Sequence, residues 1–97
     1  MLNQMVLVGR LTETPKVEEG KSVITLAVPR HFKNQEGVYE TDFIPCTLCG
    51  GVAKNTAEYC RKGDLIGIKG RIQVTEGILE LSVEKVSFLS SKSSKED

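Results

Sequence analysis

The sequence predicts an all-β chain, five strands rolled into a small Greek-key barrel with one short helix between the third and fourth strands. Three observations predict it. Apolar residues alternate at period two through most of the chain. Turn-forming residues cut that pattern into pieces of strand length. One stretch alone, 52–62, switches to helical spacing. Five strands left open would expose unpaired edges, which favours closure.

The elements follow in order. Met5-Val6-Leu7-Val8 is apolar on both faces, as suits a strand covered on both sides. Glu18-Glu19-Gly20-Lys21 is a turn signal, and 23–28 reads as a second strand closing a hairpin. Pro29 disturbs the register beyond it, and 33–37 is a polar loop. Alternation resumes from Tyr39 to Cys49, with Ile44, Cys46 and Leu48 on the core side and Phe43, Pro45, Thr47 and Cys49 on the other. Gly50-Gly51 breaks that strand. In the helix expected over 52–62, Val52, Thr56 and Tyr59 stack, flanked by Ala53, Ala57 and Cys60. Arg61-Lys62 suit the negative end of its dipole, and Gly63 suits its C-terminal cap. The fourth strand turns Ile66, Ile68, Ile72 and Val74 inward and Lys69, Arg71 and Gln73 outward. Thr75-Glu76-Gly77 leads tightly into a fifth strand, Ile78 to about Leu89. This succession is that of an OB barrel; an SH3-like barrel has five strands but does not usually carry a three-turn helix there.

Ninety-seven residues make one domain, expected over 1–89, with a disordered polar tail over 90–97. There is no internal repeat. Hydrophobic residues at 39% and charged residues at 27% are those of an ordinary globular chain. No apolar run approaches the roughly 20 residues that span a bilayer, and no secretory signal opens the chain, so the cytoplasm is the default address. Thirteen basic and thirteen acidic side chains cancel, which counts against a protein living by charge attraction alone. The cancellation is uneven: residues 1–74 hold ten Lys/Arg against eight Asp/Glu, and 75–97 hold three against five.

Phe43 draws attention because its side of the third strand is the solvent side. Stacking on an unpaired nucleobase would cover it, as would a subunit interface or a folded-over loop. Phe32 lies between Arg30-His31 and Lys33, a bracket that lets a ring stack while its neighbours meet phosphates. Tyr39 shares Phe43's face and extends the platform, whereas Tyr59 reads as helix packing. Lys69 and Arg71, with Arg61-Lys62, suggest a basic track. The Cys46-Thr47-Leu48-Cys49 spacing invites a zinc or redox reading, but positions three apart in a strand project to opposite faces. Cys46 is expected in the core, Cys49 partly exposed, Cys60 in helix packing, all as reduced thiols with no metal. One histidine and no carboxylate–nucleophile pair leave no candidate active site, so neither an enzyme nor a cofactor is expected.

Several segments then resemble a known family. Met1 through Leu11 is similar to the opening of bacterial single-stranded DNA-binding proteins. So are Thr25-Leu26-Ala27-Val28, Asp42-Phe43-Ile44, Ala57-Glu58-Tyr59-Cys60-Arg61-Lys62-Gly63 and Gly70-Arg71-Ile72-Gln73, in the same order across 1–74. The resemblance implies an OB fold assembled as a homotetramer in the cytoplasm, associated with the nucleoid. It implies sequence-nonspecific protection of single-stranded DNA during replication, recombination and repair, with replication or recombination proteins as further partners and no membrane. It implies base stacking on Phe32 and Phe43, with Lys62 and Arg71 along the path of the strand. By their own positions Tyr39 joins the expected stacking residues, and Arg10, Arg30, Lys33 and Lys69 join Lys62 and Arg71 as expected phosphate contacts.

The chain departs from the family pattern at Cys49, where a large aromatic is common, and at Gly50-Gly51, where a basic residue commonly follows. Its hairpin at Thr75-Glu76-Gly77 is short, and Lys95-Glu96-Asp97 stands where relatives carry a long tail with an acidic, Phe-terminated tip. Losing one ring implies weaker binding by roughly 1–3 kcal/mol per subunit, which assembly can offset. The short hairpin and zero net charge also suit a second reading, an OB-type module whose outer face meets protein.

Overall fold

A computed structural model describes residues 2–91. The strands are β1 (Met5–Leu11), β2 (Lys21–Lys33), β3 (Tyr39–Cys49), β4 (Leu65–Thr75) and β5 (Ile78–Ser90), with helix α1 (Gly50–Tyr59) between β3 and β4. They close a barrel in the order β1-β2-β3-β5-β4, the expected OB arrangement. All neighbours are antiparallel except β3 and β5, which meet in parallel at Thr47 and Ser82. Among the described residues no helix is long and apolar enough to cross a membrane.

Period-two alternation decides what fills the interior. Leu11, Ile24, Leu26, Cys46, Leu48, Ile66, Ile68 and Val83 are buried together, each an inward position of its strand. Gly70 lets β4 and β5 approach beside this core: a Cβ there would collide with the backbone oxygen of Ser82, at an irregularity in the β4–β5 ladder. The hairpin beyond turns on Glu76 and Gly77, both at positive φ (52° and 79°), the two-residue geometry that matches strand twist.

Several expectations are corrected. β2 runs through Pro29 to Lys33 rather than ending near Val28. β1 pairs with β2 only at Arg10 and Leu11, so Pro29 lies where one side of β2 needs no donor. The register does slip between Pro29 and Lys33. The helix covers Gly50–Tyr59, not 52–62: Gly50 at φ 60° turns the chain straight out of β3. It ends because Cys60 is extended and the Asp64 carboxylate accepts the Arg61 N–H at 2.8 Å. Gly63 therefore caps no helix; its N–H bonds the Leu11 carbonyl at 2.8 Å and steers the chain into β4.

The buried helix face is consequently Ala53 and Thr56, with Cys60 just beyond. Tyr59 lies exposed, its ring 6.0 Å from that of Phe88. Ile72 and Val74 keep the inward side of β4 but are exposed, 41% and 66%, because the hairpin runs on past the barrel. The tail expected over 90–97 overlaps β5 at Ser90, and 92–97 lie outside the described residues.

Candidate nucleic-acid interface

The outer surface is built from the positions the core does not use. Phe32, Tyr39 and Phe43 are exposed, at 64%, 58% and 65%. Tyr39, Thr41 and Phe43 occupy one side of β3 by alternation. Lys33 faces Tyr39 across the ladder and sets its ammonium 5.7 Å from the ring centroid, a cation–π contact that leaves the charge beside the ring. Phe32 lies inside the slipped segment of β2, where simple alternation ends.

Two rows cross the strands on this surface. Arg10 pairs with Ala27, and Ala27 with Phe43. A basic side chain and an aromatic ring therefore stand about 10 Å apart at the backbone, two strand spacings, with the small Ala27 between them. Arg10 is steadied by a 3.0 Å bond from Nη1 to the Gly63 carbonyl. Exposed Lys62 precedes that glycine, its N–H held by Thr14 Oγ1 at 2.9 Å. The second row runs Thr47, Ser82, Arg71 across β3, β5 and β4. Thr47 is four residues from Phe43 on the same side of β3, about 13 Å along the strand. Arg10 thus lies across β2 from Phe43, and Arg71 lies on the other side of β3, farther along the strand.

Arg30 departs from this pattern. Its Nε and Nη2 grip both Asp42 oxygens at 3.0 and 2.9 Å, and Nη1 binds Glu40 at 2.8 Å. Asn34 fixes the arrangement, donating to Glu40 at 3.2 Å while its oxygen accepts the Glu36 and Val38 N–H groups in the loop. Asp42 precedes Phe43, so this cluster lies on the opposite side of the β2–β3 ribbon from the ring. The Arg30 guanidinium holds the Asp42 carboxyl below its ordinary value, chiefly by hydrogen bonding, which outweighs the opposing desolvation, with charge attraction adding to it. Lys69 is exposed, but in a depression lined by Val6, Val8, Lys85 and Leu89.

Sequence reasoning missed Glu80. It accepts bonds from Gln73 and Thr75 on β4 and Thr47 on β3, and those bonds, Gln73 foremost, lower its pKa. The tight hairpin is the signal that would have found it, since Thr75 opposite Ile78 places Gln73 opposite Glu80. The thiols offer no paired site: Cys46 is buried and Cys49 exposed, and burial pushes both Cys46 and Cys60 up to about 11, far from a reactive thiolate.

Comparison with known proteins bears on the family. The chain matches the Single-strand binding protein family over residues 2–88. It is 51% identical over 78 residues to single-stranded DNA-binding protein B of Bacillus subtilis, covering 75% of this chain and 69% of that protein. Similarity to single-stranded DNA-binding protein of Halalkalibacterium halodurans is 44% over 108 residues, 97% of this chain but 64% of the relative, less than two thirds of its length. Single-stranded DNA-binding protein 1 of Clostridium acetobutylicum is 37% identical over 106 residues, 94% of this chain and 96% of that protein. The family match takes in the helix and nearly all of the five strands, and the chain belongs to the single-strand binding protein family.

Proposed function

We propose that this chain binds single-stranded DNA without sequence preference, in a bacterial cytoplasm, and shields it during replication, recombination and repair. The observation that carries the reading is the row Arg10–Ala27–Phe43: an exposed ring and a cation on one outer face with the small Ala27 between them, and Arg71 farther along. Bases stack on Phe43, Tyr39 and Phe32 through their π-faces, which every base has, so affinity is indifferent to sequence. Phosphates meet Arg10, Lys33, Lys62 and Arg71. Arg30 contributes little, because its charge is already matched by two carboxylates, and Lys69 serves an apolar neighbourhood instead.

That neighbourhood supports self-association. Val6 and Val8 are exposed on β1 and continue into Leu89 on β5, an apolar surface that a single chain leaves wet. A second copy would cover it, and joined copies hold one strand at high effective concentration. The short hairpin makes this assembly matter more.

Fluorescence anisotropy with labelled oligo-dT and with duplex of equal length tests the reading. Preference for the single strand is expected, with log affinity falling against log salt at a slope of about −0.7 for each phosphate contacted. No binding of the single strand at micromolar protein in low salt would overturn it.

A further inference from the structure

A carboxylate on a phosphate-binding surface repels its ligand, yet Glu80 stands one row from Arg71 on the outer face. The hydrogen bonds around it explain its place. Oε1 accepts Gln73 Nε2 at 3.0 Å and Thr75 Oγ1 at 3.2 Å, and Oε2 accepts Thr47 Oγ1 at 3.2 Å. Gln73 in turn offers its Oε1 to Arg71 Nη2 at 3.1 Å. An ionised carboxylate only accepts and a guanidinium only donates, so the amide between them has a single satisfactory orientation. Reversing it would set oxygen against oxygen at one end and donor against donor at the other.

We propose that Glu80 is a positioning residue for ligand binding: through Gln73 it fixes the Arg71 guanidinium on the outer face, ready for a backbone phosphate. The inference rests on the single-strand reading above. The geometry leaves Arg71 held by a neutral oxygen, so its charge is kept for the ligand while its freedom is reduced. Restricting a long side chain before binding removes an ordering cost from the binding step. Glu80 remains charged in this setting, since its donors hold the carboxyl below its ordinary range. The three donors also tie β4 and β3 to β5 at the seam where β3 and β5 pair only through Thr47 and Ser82.

The sign of one substitution separates this from simple charge repulsion. If Glu80 were only an unfavourable charge, Glu80→Gln would tighten binding to oligo-dT. As a positioning residue, its replacement weakens binding roughly three- to tenfold, because a glutamine at 80 can donate as well as accept and no longer dictates the Gln73 orientation. The loss is confined to chains that retain Arg71: in an Arg71→Ala background, Glu80→Gln tightens binding. The salt slope of Glu80→Gln moves toward that of Arg71→Ala, which is shallower than wild type by about 0.7.

Gln73→Ala, which changes no charge, weakens binding in the same direction and carries the same cycle with Arg71→Ala should Glu80→Gln fail to fold in a thermal melt. Tightened or unchanged binding by folded Glu80→Gln, or equal effects in both backgrounds, would overturn the positioning role. Failure of the wild-type chain to bind oligo-dT would instead overturn the single-strand reading, so the two outcomes are distinct.

Discussion

Arg30 and Arg71 are both expected to meet phosphates, Arg30 from beside Phe32 and Arg71 from the outer side of the fourth strand, but the fold treats them oppositely. Arg30 commits three of the five N–H groups of a guanidinium to Asp42 and Glu40, on the side of the ribbon away from Phe43. Arg71 rests against a neutral amide oxygen in the row that leads to Thr47 on Phe43's strand. The first arrangement fastens β2 to β3 beyond the barrel, where β1 no longer supports them; the second keeps a cation on display. What a basic residue can do for a ligand is decided by its partners, and a count of lysines and arginines does not report it. The zero net charge of the chain therefore says little about this face.

Among changes to stability, the largest expected effect comes from disturbing the backbone next to Arg71. Gly70→Ala places a Cβ against the Ser82 backbone oxygen and should lower stability by about 1–3 kcal/mol, the usual cost of overpacking. An unchanged midpoint in urea unfolding would show that the close approach of β4 and β5 is not required.

The two arginines are compared directly by their salt dependence. Arg71→Ala should make the slope of log affinity against log salt shallower by about 0.7, whereas Arg30→Ala should leave the slope unchanged and lower only the melting temperature. Equal slope changes would erase the distinction drawn between them.

A smaller effect separates the two carboxylates. Both have lowered pKa values in the folded chain, Asp42 through Arg30 and Glu80 first through Gln73. A lowered folded value means that each contribution is complete above the ordinary value, 4.5 for Glu80 and 3.8 for Asp42. It is then lost as pH falls through the folded value. Thermal melts of wild type should fall off below those values. Glu80→Gln should remove the part of the decline that begins nearer 4.5, and Asp42→Asn the part that begins nearer 3.8. Identical acid profiles for all three proteins would show that neither network stabilises the fold.

Much of this was legible in the sequence, for physical reasons that also mark where legibility stops. Alternation assigns sides: it placed Phe43 outward and Ile44, Cys46 and Leu48 inward, and it kept Cys46 and Cys49 apart. It does not assign depth, so Ile72 and Val74 read as core although the barrel has ended before they are reached. The helix was visible as a change of period, but its phase depended on Gly50 adopting a positive φ, which no period reveals. The Arg30 cluster was hidden by the slip between Pro29 and Lys33, which breaks the counting that would have brought Arg30 to Asp42. The Glu80 network was the reverse case, open to simple counting from the Glu76-Gly77 turn.

The central claim is that unpaired bases lie against Phe32 and Phe43, and replacing both rings with alanine tests it most directly. Both rings are exposed, so the variant should melt like wild type while its affinity for oligo-dT falls by about 1–3 kcal/mol for each ring lost. A folded variant that binds oligo-dT as tightly as wild type would contradict the account.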